Sequence, residues 1–367
     1  MHDRGSWRGR SAHDLRYEAQ RIAFGPMMFH AAMLLRDLGV LAALKAAGPS
    51  GLGVDAIAER AGISQYGARV LAEAGLGLEL VEPAPVDQAA PTATELGPYR
   101  LTPLGAVFLQ DAMTRANADF VRDVCYRGMS HLGDAIRDGR PAGLAEFGEW
   151  NTIYEALSQL PPKAQESWFR FDHYYSDSAF PAALPLIFRG DPRRLLDVGG
   201  NTGKFAVRCA RRAPDVRVTI LDLPGQLAKA LANAAAAGLE GQIDGHAVDL
   251  LDASQPFPTG YDVVWMSQFL CCFPEEDILH LLRRGASALS EGGSLYILDT
   301  YWDRQRGPAA AYCLQATSLY FTCMANGTSR MYHSRDMLRC VEAAGLRVEE
   351  DIDGLGLSHT LFRCRPR

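Results

Sequence analysis

A glycine-rich string between a predicted strand and a predicted helix is the part of this sequence best suited to binding a nucleotide. Within LLDVGGNTGKFA, residues 195–206, Gly199 and Gly200 allow a sharp turn, and Gly203 lets the start of the helix approach a ligand. The dinucleotide-binding pattern G-x-G-x-x-G fails in either register. Instead, Asp197 lies just before the glycines. A carboxylate at that point favours a cationic ligand over a pyrophosphate.

Two further acidic residues follow the next two predicted strands. Asp222, in LDLP, can accept hydrogen bonds from both hydroxyls of a ribose, and Asp249, in VDLLD, can accept the amino group of an adenine on which Leu250 packs. Since the ends of parallel strands share one crevice, these acids and Asp197 predict a site for a nucleoside with positive charge and no phosphate. S-adenosylmethionine fits, and S-adenosylhomocysteine is then the product. The predicted cofactor site comprises Asp197, Gly199, Gly200, Asn201, Gly203, Asp222, Leu223, Asp249, Leu250, Ser267 and Gln268.

The elements that must position these residues follow an alternating pattern. From Arg193 onward, short apolar runs alternate with helical patterns, which is typical of a parallel sheet covered on both faces. The last elements are close in sequence and predict an antiparallel edge. We therefore expect an α/β, Rossmann-like catalytic domain. The predicted strands are 195–198, 216–221, 261–266, 294–298, 346–351 and 357–364, and a helix is predicted over 334–344.

The N-terminal part of the chain predicts a mostly helical domain with a winged-helix pattern. A long packing helix is expected over 28–44, and a short helix then ends at Gly62, after which Ser64 caps a second helix. A strand over 78–81, a loop over 83–94 and the string YRLTPLG complete the wing.

A winged helix often reads DNA, but the charges here argue against that function. The second helix is flanked by Glu59, Glu73 and Glu79, and the chain has a net charge of -6, so phosphate would be repelled. No nucleic-acid partner is expected, and a ligand-sensing transcription factor is the non-enzymatic alternative. We expect this domain to serve in dimerisation instead.

The domain plan and the cellular setting follow from the same patterns. We predict a disordered N-terminus over 1–15, a winged-helix dimerisation domain over 16–112, a helical connector over 113–190 and a catalytic domain over 191–367. No apolar run approaches the length of a membrane span and no secretory signal is evident. The eight cysteines contain no CxxC pair, which favours neither disulfides nor zinc. A cytoplasmic protein without a membrane partner or a metal ion is expected.

These motifs carry a resemblance to a known family. The segment from Leu195 to Leu298 resembles a class I S-adenosylmethionine-dependent methyltransferase core, and the chain from Phe29 to Cys364 is similar to the two-domain small-molecule O-methyltransferases. The resemblance implies a transferase with metal-independent chemistry and a winged-helix homodimer. It also implies a pocket for a small aromatic substrate between the domains, covered partly by the partner subunit.

The family's catalytic pattern is incomplete in this sequence. Relatives place a proton-abstracting histidine after the fourth strand, in a string like L-H-D-W. Here the string is WMSQFLCCFPEED, the histidine position is Cys271, and the preceding lysine position is Ser267. The acid after the fifth strand is retained as Asp299, whereas the second acid falls on Met331 or Ser329.

This gap leaves more than one reaction open. The strings SQFLCCF, YFTCMANG and FDHYYSD resemble bacterial aromatic C-methyltransferases, including those that make 3-methyltyrosine for tetrahydroisoquinoline antibiotics. We therefore favour methylation of the carbon ortho to the hydroxyl of tyrosine or a related p-hydroxyphenyl compound in natural-product biosynthesis. O-methylation of a phenol is the first alternative. Hydroxylation or decarboxylation by a repurposed cofactor fold is the second.

A different base is needed if Cys271 does not serve. His173 is our first candidate because a histidine pKa of about 6.5 suits proton transfer, and Asp299 is the second. The predicted substrate site comprises His173, Tyr174, Tyr175, Gln268, Phe269, Cys271, Met324 and Asn326.

Overall fold

Two units make up the chain, one that ends at Val121 and one from Arg122 to Arg367. The computed structural model describes residues 11–85 and 98–367. Most of the predicted disordered N-terminus and of the predicted loop over 83–94 therefore lie outside the described residues.

The N-terminal unit is mostly helical, with one short hairpin. Its core contains Leu35, Leu41, Leu44 and Ile57, which are almost fully buried. Within it, β1 pairs with β2 in the antiparallel direction. The elements are α1 (Ala12–Ala23), α2 (Gly25–Asp37), α3 (Val40–Ala47), α4 (Val54–Ala61), α5 (Gln65–Gly77), β1 (Val81–Pro83), β2 (Tyr99–Leu101), α6 (Pro103–Gln110) and α7 (Ala112–Phe120).

Local chemistry explains where these helices begin and end. The predicted turn at Gly62 is confirmed, with a left-handed φ of 64°, and the Ser64 hydroxyl accepts a hydrogen bond from the backbone N–H of Gly67 at 3.0 Å. The long helix predicted over 28–44 is wrong in one respect. Gly39 has a φ of 76°, which ends α2 and starts α3 in a new direction.

The predicted first strand of the wing also begins later than expected. Helix α5 continues to Gly77, and Glu79 has a left-handed φ of 60°, so the chain turns before β1 begins at Val81. In the described residues, no single helix is long and apolar enough to cross a membrane, although the bent pair Gly25–Asp37 and Val40–Ser50 reaches that length together.

The C-terminal unit starts with helices that lead to a large sheet. The helix α10 begins at Pro162, a residue suited to the first helical turn, and carries the aromatic string that includes Trp168 and Tyr175. These elements are a π-helical turn (Val121–Cys125), α8 (Leu132–Asp138), α9 (Ile153–Ala156), α10 (Pro162–Ser176) and α11 (Phe180–Ile187), with short 3-10 turns at Gly128–His131, Ala142–Glu146 and Phe188–Gly190.

The sheet has seven strands in the order β5-β4-β3-β6-β7-β9-β8. Strands β3 to β7 are parallel and β9 is antiparallel to both neighbours, so the predicted antiparallel edge is confirmed. The elements are β3 (Arg194–Val198), α12 (Lys204–Arg212), β4 (Arg217–Asp222), α13 (Pro224–Ala236), β5 (Ile243–Ala247), β6 (Tyr261–Ser267), α14 (Glu275–Ala288), β7 (Leu289–Asp299), α15 (Pro308–Tyr320), α16 (Ser334–Ala343), β8 (Leu346–Leu355) and β9 (His359–Pro366).

The strand order creates a crevice beside β3. The chain leaves β3 for β4 on one side and later returns to β6 on the other, so the connections above β3 and β6 diverge. Ligands of open α/β sheets bind at such a point, outside the carboxyl ends of the strands. The central strands β3, β4 and β6 are buried on both faces, and below the crevice the Phe205 ring of α12 stacks on Trp265 with ring centroids 4.2 Å apart. The fold thus holds the glycine-rich string rigidly at this point.

Candidate functional site

The glycine-rich loop after β3 forms the floor of the crevice. Gly199 has a φ of 74°, and its N–H donates to the carbonyl of Leu221 on β4 at 2.8 Å. A Cβ on Gly199 would overlap the ring of Phe269, with its Cε2 2.9 Å away. Only glycine therefore permits both this backbone conformation and the close approach of Phe269.

Asp222 at the end of β4 is held by backbone donors. Its Oδ2 accepts from the N–H of Asn201 and its Oδ1 accepts from the N–H of Leu223, both at 2.7 Å. Burial nevertheless raises the pKa of Asp222 to about 6, because desolvation outweighs the two hydrogen bonds. The carboxylate is fixed in orientation and lines the crevice, as a ribose-binding group must.

Asp197, at the end of β3, is the carboxyl group of the crevice whose ionisation is least favourable. It is 3% exposed, and no described residue donates a hydrogen bond to its Oδ2. Burial, together with the nearby Asp222, raises the pKa of Asp197 to about 8. A buried carboxylate without a partner is unfavourable, and a ligand cation would supply the missing partner. This orphaned oxygen fits the ammonium of S-adenosylmethionine.

A small polar cavity of about 80 Å³ lies beside Asp197. Lys204, whose Nζ lies 2.8 Å from Oδ2 of Asp177, and His173 also line this cavity. Burial and the charge of Lys204 lower the pKa of His173, and its Nε2 has no partner among the described residues. The Ser267 hydroxyl is also buried here without a partner. A cavity lined by the carboxyl groups of Asp172 and Asp197 and by the ammonium of Lys204 suits a zwitterion such as the amino-acid end of the cofactor.

A larger cavity of about 590 Å³ adjoins the small one, and its size is typical of a ligand site. One half is lined by residues of the predicted nucleotide site, including Leu223 and Gln268. There Asp249 is exposed and its Oδ1 accepts the N–H of Leu251 at 2.9 Å, while Leu250 is buried. The other half is aromatic, with walls formed by Tyr154, Trp168, Phe171, Tyr175, Tyr320 and Phe321.

Cys271 and Asp299 lie together at the turn after β6. The backbone N–H of Cys271 donates to Oδ2 of Asp299 at 3.3 Å, and that of Thr300 donates to Oδ1 at 2.8 Å. Burial raises the pKa of Asp299 to about 6. The pKa of the Cys271 thiol is raised well above its usual value, first by a hydrogen bond with the side chain of Cys272 and second by burial. Cys271 lines the large cavity, whereas Asp299 is not among the described residues that line either cavity.

Three other predicted site residues also lie off both cavities, among those that the structure describes. Met324 is fully buried against the backbone of Gly128 and Gly143, and Tyr174 packs edge-on against Tyr175 with centroids 5.3 Å apart. The third residue is Gly203, which caps the start of α12 and faces α13. A Cβ on Gly203 would lie 3.2 Å from the Cβ of Ala230.

Asn326 does line the large cavity, and its own contacts hold it in place. Its side-chain amide donates to the carbonyl of Cys272, and its Oδ1 accepts from the Ser329 hydroxyl at 2.9 Å. Gln268 lines both cavities with a left-handed φ of 48°, and its N–H donates to the carbonyl of Leu298 at 2.8 Å. The side chain of Asn326 and the backbone of Gln268 are thus both fixed by contacts within the described residues.

Sequence reasoning missed Asp172, which lines both cavities. Its Oδ2 accepts from the side-chain amide of Asn201 at 3.2 Å. The signal was present in the spacing, because Trp168, Asp172 and Tyr175 recur at i, i+4 and i+7 and so share one face of α10. Tyr154 and Tyr320 were missed for another reason: they come from distant helices, and no local pattern joins them to the string.

The described residues contain no group of three or more His, Cys, Asp or Glu side chains placed to hold a metal ion. All residues that line the two cavities belong to the C-terminal unit.

Comparison with known proteins places this architecture in a family. Residues 183–347 match the family model of the O-methyltransferase domain, and residues 16–84 match that of the Dimerisation2-like domain. The L-tyrosine C(3)-methyltransferase of Streptomyces lavendulae is 25% identical over 63% of this chain and 62% of its own length. Aclacinomycin 10-hydroxylase RdmB of Streptomyces purpurascens is 33% identical over 55% of this chain and 54% of its own. This chain thus spans less than two thirds of each of these curated relatives.

A solved structure matches over nearly the whole chain. The S-adenosylmethionine-dependent methyltransferase SibL, in its apo form, is 28% identical, with a TM-score of 0.67 over 95% of this chain and 98% of its own. These matches confirm the predicted fold class, family and cofactor. Residues 183–347 therefore form an O-methyltransferase domain that uses S-adenosylmethionine, and the Dimerisation2-like domain of residues 16–84 precedes it.

Proposed function

We propose that this protein methylates a small phenolic compound on the ring carbon ortho to its hydroxyl, with tyrosine or a related p-hydroxyphenyl compound as the acceptor. The observation that carries this proposal is the large cavity, in which the nucleotide half continues directly into the aromatic half. The cofactor supplies an electrophilic methyl group. The chain's own residues must orient a flat ring against that group and exclude water.

The aromatic walls are well suited to holding a ring in one orientation. Trp168 donates from its Nε1 to the hydroxyl of Tyr320 at 2.7 Å, and Phe171 meets Tyr175 edge-on with centroids 5.1 Å apart. Side chains that brace one another lose little further freedom when a substrate binds. Such rigid aromatic walls favour a flat, aromatic acceptor.

The environment of Cys271 supports carbon over oxygen as the methylated atom. Its pKa is raised well above the usual value, so the thiol stays protonated at neutral pH and cannot replace the family's histidine as the base. A substrate hydroxyl placed beside Cys271 would therefore keep its proton. The similarity to a tyrosine C(3)-methyltransferase gives the same preference.

Two other reactions are supported by single observations. The family model describes an O-methyltransferase domain, which favours methylation of the hydroxyl itself. The similarity to a protein named as a 10-hydroxylase favours a hydroxylation, in which the cofactor fold serves another chemistry.

Incubation with S-adenosylmethionine labelled with ¹³C in the methyl group, together with tyrosine, tests the proposal. We expect the product to gain one methyl group on the ring and to lose one ortho proton, as read by mass spectrometry and NMR. Phenylalanine is the matched control and should remain unmethylated, because it lacks the hydroxyl that activates the ring. A methoxy signal would establish O-methylation instead, and a mass gain other than one methyl group would reject the transferase.

We also propose that the protein is a homodimer formed through its N-terminal unit. The Dimerisation2-like match covers α2 to α5, and large apolar side chains are exposed near the start of this unit: Ile22 is 81% exposed and Met27 is 68% exposed. Sedimentation should give twice the chain mass of 40.0 kDa. Ile22→Asp should shift the protein to monomer, whereas Tyr66→Asp, at a residue 79% exposed on α5, should not. A wild-type protein that sediments as a monomer at micromolar concentration would refute this.

A further inference from the structure

Asp172 stands where the two cavities meet. Its Oδ2 accepts from the amide of Asn201, whose backbone N–H in turn donates to Asp222. The carboxyl of Asp172 is therefore anchored to the loop that holds the nucleotide. Its Oδ1 makes no hydrogen bond to any residue that the structure describes, so this oxygen remains available to a substrate.

The position of Asp172 on α10 places it beside the acceptor ring. It shares the cavity face of the helix with Trp168 and Tyr175, and it lines the small cavity as well as the large one. A group at this junction is close to both the methyl donor and the acceptor. Glu155 and Asp277 also line the large cavity, but neither lines the small one.

The other candidates for the base are placed less favourably. Both oxygens of Asp299 already accept backbone hydrogen bonds, and this side chain lies off both cavities. His173 lines the small cavity, as Lys204 does, and does not line the large one. His173 therefore does not reach the aromatic half of the large cavity.

We propose that Asp172 is the catalytic base, which accepts the phenolic proton of the acceptor, an inference that rests on the proposed phenol methylation. As the O–H proton passes to the carboxylate, the ortho carbon of the ring forms a bond to the methyl group, and the bond from that methyl to the sulfonium sulfur breaks. The sulfur leaves as a neutral thioether. The ring then loses its ortho proton to water and regains aromaticity, while the carboxylic acid returns the first proton to the oxygen.

The electrostatic surroundings of Asp172 agree with this role. Burial raises its pKa to about 7, Lys204 on α12 lowers it, and Asp177 on the same helix raises it. Other titratable groups that line the same cavities include His173 and Tyr175 on α10, Asp197 on β3, Asp222 on β4, Tyr154 on α9 and Tyr320 on α15. A base works best when its pKa is near the working pH, so Asp172 is a stronger base than an ordinary aspartate and is still about half ionised at pH 7. Turnover should therefore fall as the pH drops below about 7, where the carboxylate becomes protonated.

The test compares Asp172→Asn with His173→Phe in the full-length protein. With tyrosine at pH 7, Asp172→Asn should lower kcat/KM by about 100-fold, the usual contribution of a general base. It should also lose the rise of activity with pH, while its affinity for S-adenosylhomocysteine in calorimetry stays within about threefold. His173→Phe should keep the rise of activity with pH and should instead weaken the binding of S-adenosylhomocysteine. Glu166→Gln, on the exposed side of the same helix, is the matched control and should behave as wild type.

A more acidic acceptor gives a readout that a purely structural role would not change. With 3-fluorotyrosine, which ionises more readily and keeps one free ortho carbon, Asp172→Asn should recover activity relative to wild type. Wild-type turnover and an unchanged pH profile in Asp172→Asn would overturn the inference, as would loss of the pH dependence in His173→Phe alone. If the wild-type protein methylates neither compound, the proposed function fails first.

Discussion

Asparagine in place of Asp197 should weaken the binding of S-adenosylhomocysteine by about 10- to 100-fold at pH 9, as measured by calorimetry. At that pH the carboxylate is ionised, because its pKa is about 8. Its Oδ2 has no partner among the described residues, and a ligand ammonium would supply one. A hydrogen bond between charged groups contributes about 1.5–3 kcal/mol, and the upper part of that range corresponds to about 100-fold.

The same substitution should stabilise the ligand-free protein at high pH. The pKa of Asp197 is about 8 in the folded chain, against 3.8 for an aspartate exposed to water, so the folded state holds the proton more tightly. Stability is therefore lost as the pH rises from about 4 to about 8. Asp197→Asn should have a higher Tm than wild type at pH 9, and this difference should vanish near pH 4.

The matched control for Asp197→Asn is Asp244→Asn. Asp244 is exposed on β5 and lines neither cavity, so this variant should keep both the affinity and the Tm of the wild type. Tight binding of S-adenosylhomocysteine by Asp197→Asn would contradict the ammonium site. A Tm that falls at pH 9 would contradict the assignment of an unpartnered buried charge.

Gly199→Ala should lower turnover by about 100-fold, the size of effect expected when a reacting group is displaced by about 1 Å. The new Cβ would overlap the ring of Phe269, which lines the large cavity. Phe269 also meets Phe273 edge-on with centroids 4.8 Å apart, and this contact restricts how its ring can move away from a new Cβ. Steady-state kinetics with tyrosine, or with the acceptor found to be methylated, measures this loss.

Gly238→Ala separates that steric overlap from backbone strain. Gly238 has a φ of 69°, close to the 74° of Gly199, but a Cβ there would meet nothing within 4 Å. Both variants should lose about 1 kcal/mol of stability from the left-handed backbone. Only Gly199→Ala should lose turnover. Equal kinetics in the two variants would show that the contact with Phe269 is unimportant.

Local patterns were enough to predict most of the sheet and the nucleotide loop. The strand ends at Asp197 and Asp222 could be predicted because a buried parallel strand is a short apolar run. The residue that ends such a run lies at the edge of the sheet. The turn at Gly62 and the cap at Ser64 could be read for a similar reason, since each depends on neighbours within a few residues.

Side-chain direction could not be read in the same way. The string FDHYYSD pointed to α10, but which of its side chains line the large cavity depended on how α10 is rotated against the sheet. That rotation is set by packing with distant partners, as in the hydrogen bond from Trp168 to Tyr320. Met324 shows the same limit, because a methionine in an apolar string fits a core and a pocket wall equally well.

By itself, the sequence determined the order of strands and helices, the glycine-rich turn and the acids at the strand ends, since these depend on neighbours along the chain. Only the tertiary structure decided which ionisable groups are buried and where each side chain points. It showed that Asp197 is buried, which raises its pKa to about 8, whereas Asp249 is exposed. The physical reason is that desolvation depends on atoms brought together from distant parts of the chain.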